Sequence, residues 1–425
     1  IIFFWVARMI MAGLEFMPSD QDYNKSTSDS KLDIEEIKKR IPFKDVYFTG
    51  IIRDTKGRKM SKSLGNSPDP LDLIEKFGAD GLRFGIMSMA PNGQDIRFNE
   101  DGITQGRNFC TKLWNVCRFR QMGGEQSDNR SLNSILKRID SSKLDADDHA
   151  ILDKLVNTVK AIQNDMDRYE FNLATQHIYA FFWGDFCDWY IEISKIKMLD
   201  ESAKEHCLAI QDLCLRFILL LLHPFTPFIT EEIWQLLGYG KTEKDVIQDT
   251  NTESAETLIA SLKENDILID KAASNEIEQV RELVSLIRAL KASHNLASKR
   301  DCQVQVKATK EQAATISSHS TKIMKTAGLK SLACVETEVQ NAPAEVTPLG
   351  TAYLDLAASI DKVAERKKYE AEVKNLNAHI ASSKARLSNK SFTDKAPEKV
   401  VEGAKKQLKE METKLDEIES LLNIL

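Results

Sequence analysis

Apolar positions divide the chain into three stretches with different periods. The first stretch opens on Ile1-Ile2-Phe3-Phe4-Trp5-Val6-Ala7, a run broken by Arg8, which predicts a buried helix leading into an α/β core. The run is too short and too interrupted to cross a membrane, and it has neither the basic lead-in nor the small-residue cleavage site of a signal peptide. Residues 46–52, Val-Tyr-Phe-Thr-Gly-Ile-Ile, have the β-branched and aromatic content of a buried strand, and Asp54-Thr55-Lys56-Gly57 predicts a turn after it. Pro68-Asp69-Pro70 then opens a helix carrying Leu71, Leu73, Ile74 and Phe77, because the N–H that proline lacks is unpaired in a first helical turn anyway.

From about Asp147 the period becomes helical. Leu152, Leu155, Val159 and Ile162 recur at helical spacing, as do Phe181, Phe182, Phe186 and Trp189. Thr230 ahead of Glu231 and Glu232 predicts a helix start, with a hydroxyl for orphan N–H groups and carboxylates at the positive end. His223 sits in a proline-bounded turn with no partner at useful spacing and predicts no catalytic base or ligand. Past Arg300 the pattern predicts a small α+β module, with strands at 304–307 and 332–339 around a helix at 311–324; residues 341–348 read as a linker. The tail returns to helix. Val373, Leu376, Ile380 and Leu387 form one heptad seam, and Val401, Ala404, Leu408, Met411, Leu415, Ile418 and Leu422 form another. The polar interval 388–397 separates them and predicts an antiparallel hairpin. The fold class is mainly α.

Length and composition refine this picture. At 425 residues and 42% hydrophobic the chain is long enough for two or three cores. Residues 18–45 are polar and helix-poor and predict a surface insertion. The net charge of -6 is not that of a general nucleic-acid binder, although basic groups gathered on particular faces would still serve one. Cys110, Cys117, Cys187, Cys207, Cys214, Cys302 and Cys334 are scattered, with no C-x-x-C pair and no histidine at ligand spacing. They predict reduced thiols of a cytoplasmic protein, with no disulfide framework, no zinc and no other metal site.

The densest candidate chemistry is Lys56-Gly57-Arg58-Lys59-Met60-Ser61-Lys62-Ser63-Leu64-Gly65-Asn66. Two lysines three residues apart, interleaved with serines, give a short loop rich in cationic and hydroxyl donors, as needed to hold a polyphosphate while charge develops on it. A solvated turn is the plainer alternative for such a composition. The string Lys59 to Ser63, KMSKS, followed by Leu64-Gly65-Asn66, resembles the signature loop of class I aminoacyl-tRNA synthetases in the valyl, isoleucyl and leucyl subgroup.

The resemblance extends through nearly the whole chain. Phe3-Phe4-Trp5-Val6-Ala7-Arg8-Met9 is similar to a segment on the amino-acid side of the site, which makes Trp5 a candidate wall of a valine pocket, with plain core packing as the alternative. Where the family often has His-Gly this chain has Thr49-Gly50, which puts a side-chain role for Thr49 in doubt. Asp69 to Phe84 resembles the stem-contact element that follows KMSKS, and Ala90-Pro91-Asn92-Gly93-Gln94-Asp95-Ile96-Arg97-Phe98, continued by Arg107-Asn108-Phe109 and Lys112-Leu113-Trp114-Asn115, is similar to the valyl version of the next stretch. Phe186 to Glu192 and His223 to Trp234 look like the helical anticodon-binding domain, and the tail looks like the valyl coiled-coil arm.

The resemblance implies five parts: the end of a Rossmann-like α/β catalytic domain (1–66), a stem-contact region (67–145), a helix-bundle anticodon-binding domain (146–298), the α+β module (299–350) and the coiled-coil arm (351–425). It implies ATP-dependent attachment of valine to tRNA(Val) through valyl-adenylate, with ATP and magnesium, L-valine and tRNA(Val) as partners, in a monomer that binds no membrane. Lys59 and Lys62 would act on the triphosphate, with Met60, Ser61 and Ser63 also on ATP. Arg281, Arg288, Lys384, Arg386, Lys390 and Lys395 would contact tRNA, where each neutralised phosphate adds salt-dependent affinity; a solvated helix face is the alternative for the first two, and a dimerisation coiled coil for the tail. No HIGH-type segment and no editing domain are found, so the chain reads as a carboxy-terminal segment expected to be inactive alone. The competing readings are an isoleucyl-type fragment, a non-catalytic tRNA-binding module and, more remotely, a coiled-coil scaffold.

Overall fold

The computed structural model describes residues 2–16, 41–90, 93–124, 131–239, 254–340, 342–356, 362–388 and positions 403, 407, 408, 411, 413 and 415. The chain divides into two compact units, Ile1–Lys271 and Ala272–Leu425.

The first unit begins with a π-helical turn, Ile2–Val6, running into α1 (Ala7–Phe16). This helix is not buried as its apolar run predicts: Phe3, Phe4, Trp5, Met11 and Phe16 are all exposed, and only Gly13, which faces the Pro42 ring, is enclosed. Residues 46–51 are likewise not a buried strand. Only β1 (Ile52–Arg53) pairs, in parallel with β2 (Ile96–Arg97), and Val46, Tyr47, Phe48 and Ile51 remain exposed. A strand is buried only when neighbours cover it, and two residues of pairing give it one edge.

Helix starts follow local chemistry. α2 (Pro70–Phe77) has proline in its first turn, and the Asp69 carboxylate accepts from Leu71 N at 2.8 Å. α3 (Ala79–Met89) then crosses α4 (Glu100–Met122) at a glycine contact so close that a Cβ on Gly106 would lie 2.2 Å from the Gly81 carbonyl oxygen. After α5 (Leu132–Lys137), α6 (Ala146–Asp167) starts on a capping box in which Asp145 and Asp148 each accept from the other's backbone. α7 (Phe171–Tyr179), a π-helical stretch Ala180–Ile191, α8 (Glu192–Lys197), α9 (Glu201–Leu222), α10 (Pro227–Leu236) and α11 (Ala255–Glu264) complete the unit.

One apolar core joins α4 to α11. Leu152, Leu155, Val159, Ile162, Phe181, Phe182 and Phe186 are buried in it, as their spacing predicts; Trp189 is buried too, its indole N–H donating to Asp147 at 2.9 Å. Within the core Arg120 donates twice to Asp212, both bonds 2.8 Å, and Arg138 adds a third at 2.9 Å, so a buried carboxylate is met by two guanidiniums.

α12 (Lys271–Ser293) leads into the second unit. There β3 (Cys302–Lys307) lies between β4 (Leu329–Val335) and β6 (Gly350–Asp355), with β5 (Ala344–Thr347) at the edge; the β3/β4 pair is parallel and the others antiparallel. The strand 344–347 replaces the linker expected there, and β6 carries the module on to Asp355. The expected single helix is two, α13 (Lys310–Ser318) and α14 (Ser320–Ala327), divided at His319. α15 (Lys362–Ser388) buries Ile380 and half-buries Val373, Leu376 and Leu387, while Lys374, Asn375, Asn377, Ala378 and His379 are exposed, as a one-sided seam requires. Leu408, Met411 and Leu415 are helical and half-buried; the reversal between the seams lies outside the described residues. Among the described residues no helix is long and apolar enough to cross a membrane.

Candidate functional site

The Lys/Ser-rich loop is a closed hook. Asp54 begins a turn in which its carbonyl accepts from Gly57 N and its own N–H donates to Arg58 O, each at 2.9 Å. Gly57 takes φ 78°, in the left-handed region that favours glycine. Ser61, extended, starts the 3-10 turn Lys62–Leu64: its Oγ accepts from Leu64 N at 3.2 Å and lies 3.0 Å from Ser63 Oγ. Gly65, φ 60°, ends that turn by donating to Lys62 O at 3.2 Å.

Two side chains that sequence reading passed over hold the hook shut. Asp54 Oδ1 accepts from Lys56 N at 3.0 Å and Arg58 N at 2.8 Å, and its Oδ2 accepts from Arg58 Nε at 2.8 Å and Asn66 Nδ2 at 3.0 Å. Asn66 Oδ1 in turn accepts from Ser61 N at 2.9 Å. The Asn66 amide and the backbone and guanidinium of Arg58 hold the Asp54 carboxyl well below the usual carboxylate range, against the opposing effect of burial. Asp95, just ahead of β2, supports the hook: it accepts from Ile51 N at 2.9 Å and from Arg53 Nε. Gly50 lets that edge approach, since a Cβ there would stand 1.8 Å from Gln94 O.

The consequence is electrostatic. Asp54 is fully engaged, whereas Lys56, Lys59 and Lys62 are exposed, with no acceptor for their ammonium groups among the described residues. Met60 and Ser61 are half-buried and Ser63 is exposed. A loop with three outward cations, two hydroxyls and a satisfied carboxylate is suited to an anion with several oxygens. The described residues contain no group of three or more His, Cys, Asp or Glu side chains able to hold a metal ion.

Other expected site residues lie apart. Trp5 is 65% exposed and walls no described cavity. In the second unit, Arg281 donates to Glu278 at 3.0 Å, and Arg288 donates to Thr326 O through both Nε and Nη2. Lys291, which belongs to the same basic series, is buried and donates to the carbonyls of Lys299, Ala327 and Gly328 at 2.6, 2.8 and 2.8 Å, satisfying the end of α14. Arg288 and Lys291 thus tie α12 to the module, whereas the Arg281 bond stays within α12. Lys384 is exposed; the Arg386 side chain and the whole of Lys390 and Lys395 lie outside the described residues.

A second set emerges only in three dimensions. Asp80 accepts from Ile229 N at 2.6 Å and from Phe228 N at 3.4 Å, and so caps α10 from 149 residues away. Arg83 donates to Phe225 O at 3.1 Å and Pro224 O at 2.9 Å. The Gly78-to-Phe84 segment thus grips the proline-rich turn that opens α10. Thr230 is not the cap expected of it: α10 starts at Pro227, and the buried Thr230 hydroxyl donates to Thr226 O at 2.8 Å. Pro227 was the available signal, since proline marks a first helical position. His223 does have a partner, Thr230 Oγ at 2.9 Å. Because that hydroxyl spends its proton on Thr226, the imidazole Nδ1 is the donor. Burial lowers the His223 pKa, which suits a neutral structural ring.

Three families match successive parts of the chain: "tRNA synthetases class I (I, L, M and V)" over residues 1–99, "Anticodon-binding domain of tRNA ligase" over 148–306 and "Valyl tRNA synthetase tRNA binding arm" over 361–425. Among curated relatives, the valine–tRNA ligase of Fusobacterium nucleatum is 36% identical over 99% of this chain and 44% of its own length. Those of Bacteroides thetaiotaomicron and Thermotoga maritima are 35% and 34% identical over 97% and 100% of this chain, and 42% and 44% of their own lengths. The chain therefore spans less than half the length of these relatives. A solved ternary complex of Agrobacterium radiobacter K84 agnB2 LeuRS with tRNA and LeuAMS overlaps 45% of this chain and 22% of its own at 24% identity, with a TM-score of 0.33, too low to carry an argument.

Proposed function

We propose, from the premise that this chain belongs to the valyl branch of the class I aminoacyl-tRNA synthetases, that it supplies the triphosphate-gripping loop and the tRNA-binding parts of a valine–tRNA ligase. In that reaction the carboxylate of valine attacks the α-phosphate of ATP, giving valyl-adenylate and pyrophosphate. The valyl group then passes to a terminal ribose hydroxyl of tRNA(Val), releasing AMP. The observation that carries this reading is the loop itself, where Lys59 and Lys62 stand exposed on a hook whose only acidic side chain is already engaged.

Charge builds on the β- and γ-phosphates as the leaving pyrophosphate separates, and ammonium groups placed there favour the transition state over bound ATP. Lys59 and Lys62 do this work, and the Ser61 and Ser63 hydroxyls and the backbone around Met60 complete the ATP contact. Magnesium enters with the ATP phosphates as part of the substrate; the loop's donor set is cationic and does not suit a protein-held divalent ion. Trp5 belongs to the valine side of the site. Residues 1–66 close a Rossmann-like catalytic domain, 67–145 contact the acceptor stem, the helix bundle to 298 receives the anticodon limb, and the tail after the α+β module is a coiled-coil arm on the tRNA backbone through Lys384, Arg386, Lys390 and Lys395.

Filter binding of the chain to tRNA with a valine anticodon and to tRNA with an isoleucine anticodon, across a salt series, tests the reading. The valine species is expected to bind more tightly, with affinity falling as salt rises. Equal affinity for the two species, or none for either, sinks the valyl assignment of these domains. The chain alone is expected to show no valine-dependent pyrophosphate exchange.

A further inference from the structure

Resting on the reading of the loop as a triphosphate clamp, we infer that Asp54 and Asn66 are its positioning residues: a carboxylate–amide clasp that closes the loop and fixes where Lys59 and Lys62 leave it.

The bonds that define the clasp fall where positioning requires them. Asn66 is 12 residues from Asp54, and its Nδ2 joins the two ends of the loop at 3.0 Å. The same amide accepts from Ser61 N at 2.9 Å and donates to Lys59 O at 3.4 Å. It therefore grips the backbone on both sides of Met60, between the two lysines. Asp54 meanwhile pairs with the guanidinium of Arg58, at 2.8 Å from both Nε and Nη2, so that this cation, although exposed, is engaged at the base of the loop. One pair thus sorts the loop's cations: Arg58 becomes structural and Lys59 and Lys62 stay outward.

The identities are complementary in one direction. Asp54 is acceptor-only and accepts four hydrogen bonds; an amide there would set its NH2 against Arg58 and Asn66 together or, turned over, against the N–H groups of Lys56 and Arg58. Asn66 needs one donor toward Asp54 and one acceptor toward Ser61; a carboxylate there would face the Asp54 carboxylate at hydrogen-bond range. Asp54→Asn and Asn66→Asp each break the match, and the double exchange restores a donor opposite an acceptor between positions 54 and 66 while leaving Arg58 against an amide NH2.

The test has two readouts on these three variants. In the 425-residue chain, hydrogen exchange over residues 55–66 follows the Arg58 and Ser61 amides directly. Each single variant is expected to exchange faster there with the buried α9 unchanged, and the double variant is expected to recover protection at the Ser61 amide. In the full-length ligase carrying the same changes, valine-dependent ATP–pyrophosphate exchange is compared with single-turnover transfer from preformed valyl-adenylate to tRNA. The triphosphate is present only in the first step, so each single variant should slow activation by about tenfold or more and transfer by less than about twofold, with the double variant recovering part of the activation. A merely structural role lowers both steps together. Unchanged loop exchange in the single variants, or equal loss of both steps, overturns the inference. Faster loop exchange with activation unaltered overturns the catalytic positioning while leaving the clasp standing. Failure of the triphosphate reading looks different: Lys59→Ala and Lys62→Ala would then leave activation intact while the loop stayed protected.

Discussion

Asp80 carries a charge into the packed region where α3 meets α10, and burial raises its pKa despite the N–H groups of Ile229 and Phe228 that favour its ionised form. A folded-state pKa above the unfolded value means that the folded state holds its proton longer, so this group's contribution to stability falls as pH rises from about 4 through the raised value. Asp80→Ala removes the acceptor for Ile229 N and is expected to lose about 1–2 kcal/mol in urea unfolding at pH 7. Asp80→Asn keeps an acceptor without the charge, and its stability relative to the parent should improve as pH rises across that window. His223 has the opposite dependence: with its pKa lowered by burial, its contribution is complete above about pH 6.5 and is lost as pH falls through the folded value. His223→Gln should therefore flatten the fall in urea midpoint between pH 6.5 and 5; an undiminished fall would assign the acid sensitivity elsewhere.

At the scale of elements, the α3–α4 crossing depends on glycine for a reason distinct from backbone freedom. A Cβ on Gly106 would meet the Gly81 carbonyl oxygen at 2.2 Å and the Gly85 nitrogen at 2.9 Å, both backbone atoms that no rotamer change can move. Gly106→Ala is expected to cost about 3 kcal/mol or more, measured by denaturant midpoint, because the helices must separate. Gly57→Ala meets no atom within 4 Å and suffers only from its left-handed φ, about 1–2 kcal/mol. Neither contrast is legible in sequence, where both are single glycines. What was legible was periodicity inside one element: Leu152, Leu155, Val159 and Ile162 face the core because a 3.6-residue repeat needs no knowledge of the partner. Residues 46–52 were misread because strand burial depends on neighbours, and here only Ile96 and Arg97 pair with the segment. The edge strand 344–347 was hidden by Pro343 and Pro348, which an edge strand tolerates at its ends. The same logic divides the site. The lysines and serines of 59–63 carry the proposed polyphosphate role by their chemistry, whereas Asp54 and Asn66 act through bonds that exist only once the loop has closed.

For the molecule as a whole, a net charge of -6 means that on the proposed reading tRNA affinity must come from cations on particular faces, and the structure shows some basic groups already committed. Arg288 donates twice to Thr326 O, and Lys291 is enclosed by three carbonyls, so this stretch of α12 spends its charge on the α+β module of its own unit. Lys384 stands exposed on α15. On the proposed reading the two positions respond differently to removal in a salt series. Lys384→Ala should weaken tRNA binding and reduce the slope of log K against log salt by about one, because a phosphate contact releases one condensed counterion. Arg288→Ala should lower the urea midpoint by leaving Thr326 O without its donor, while the salt slope stays as in the parent. A slope reduced by Arg288→Ala and untouched by Lys384→Ala would place the RNA on α12, and the arm would then be an element that joins copies of the chain.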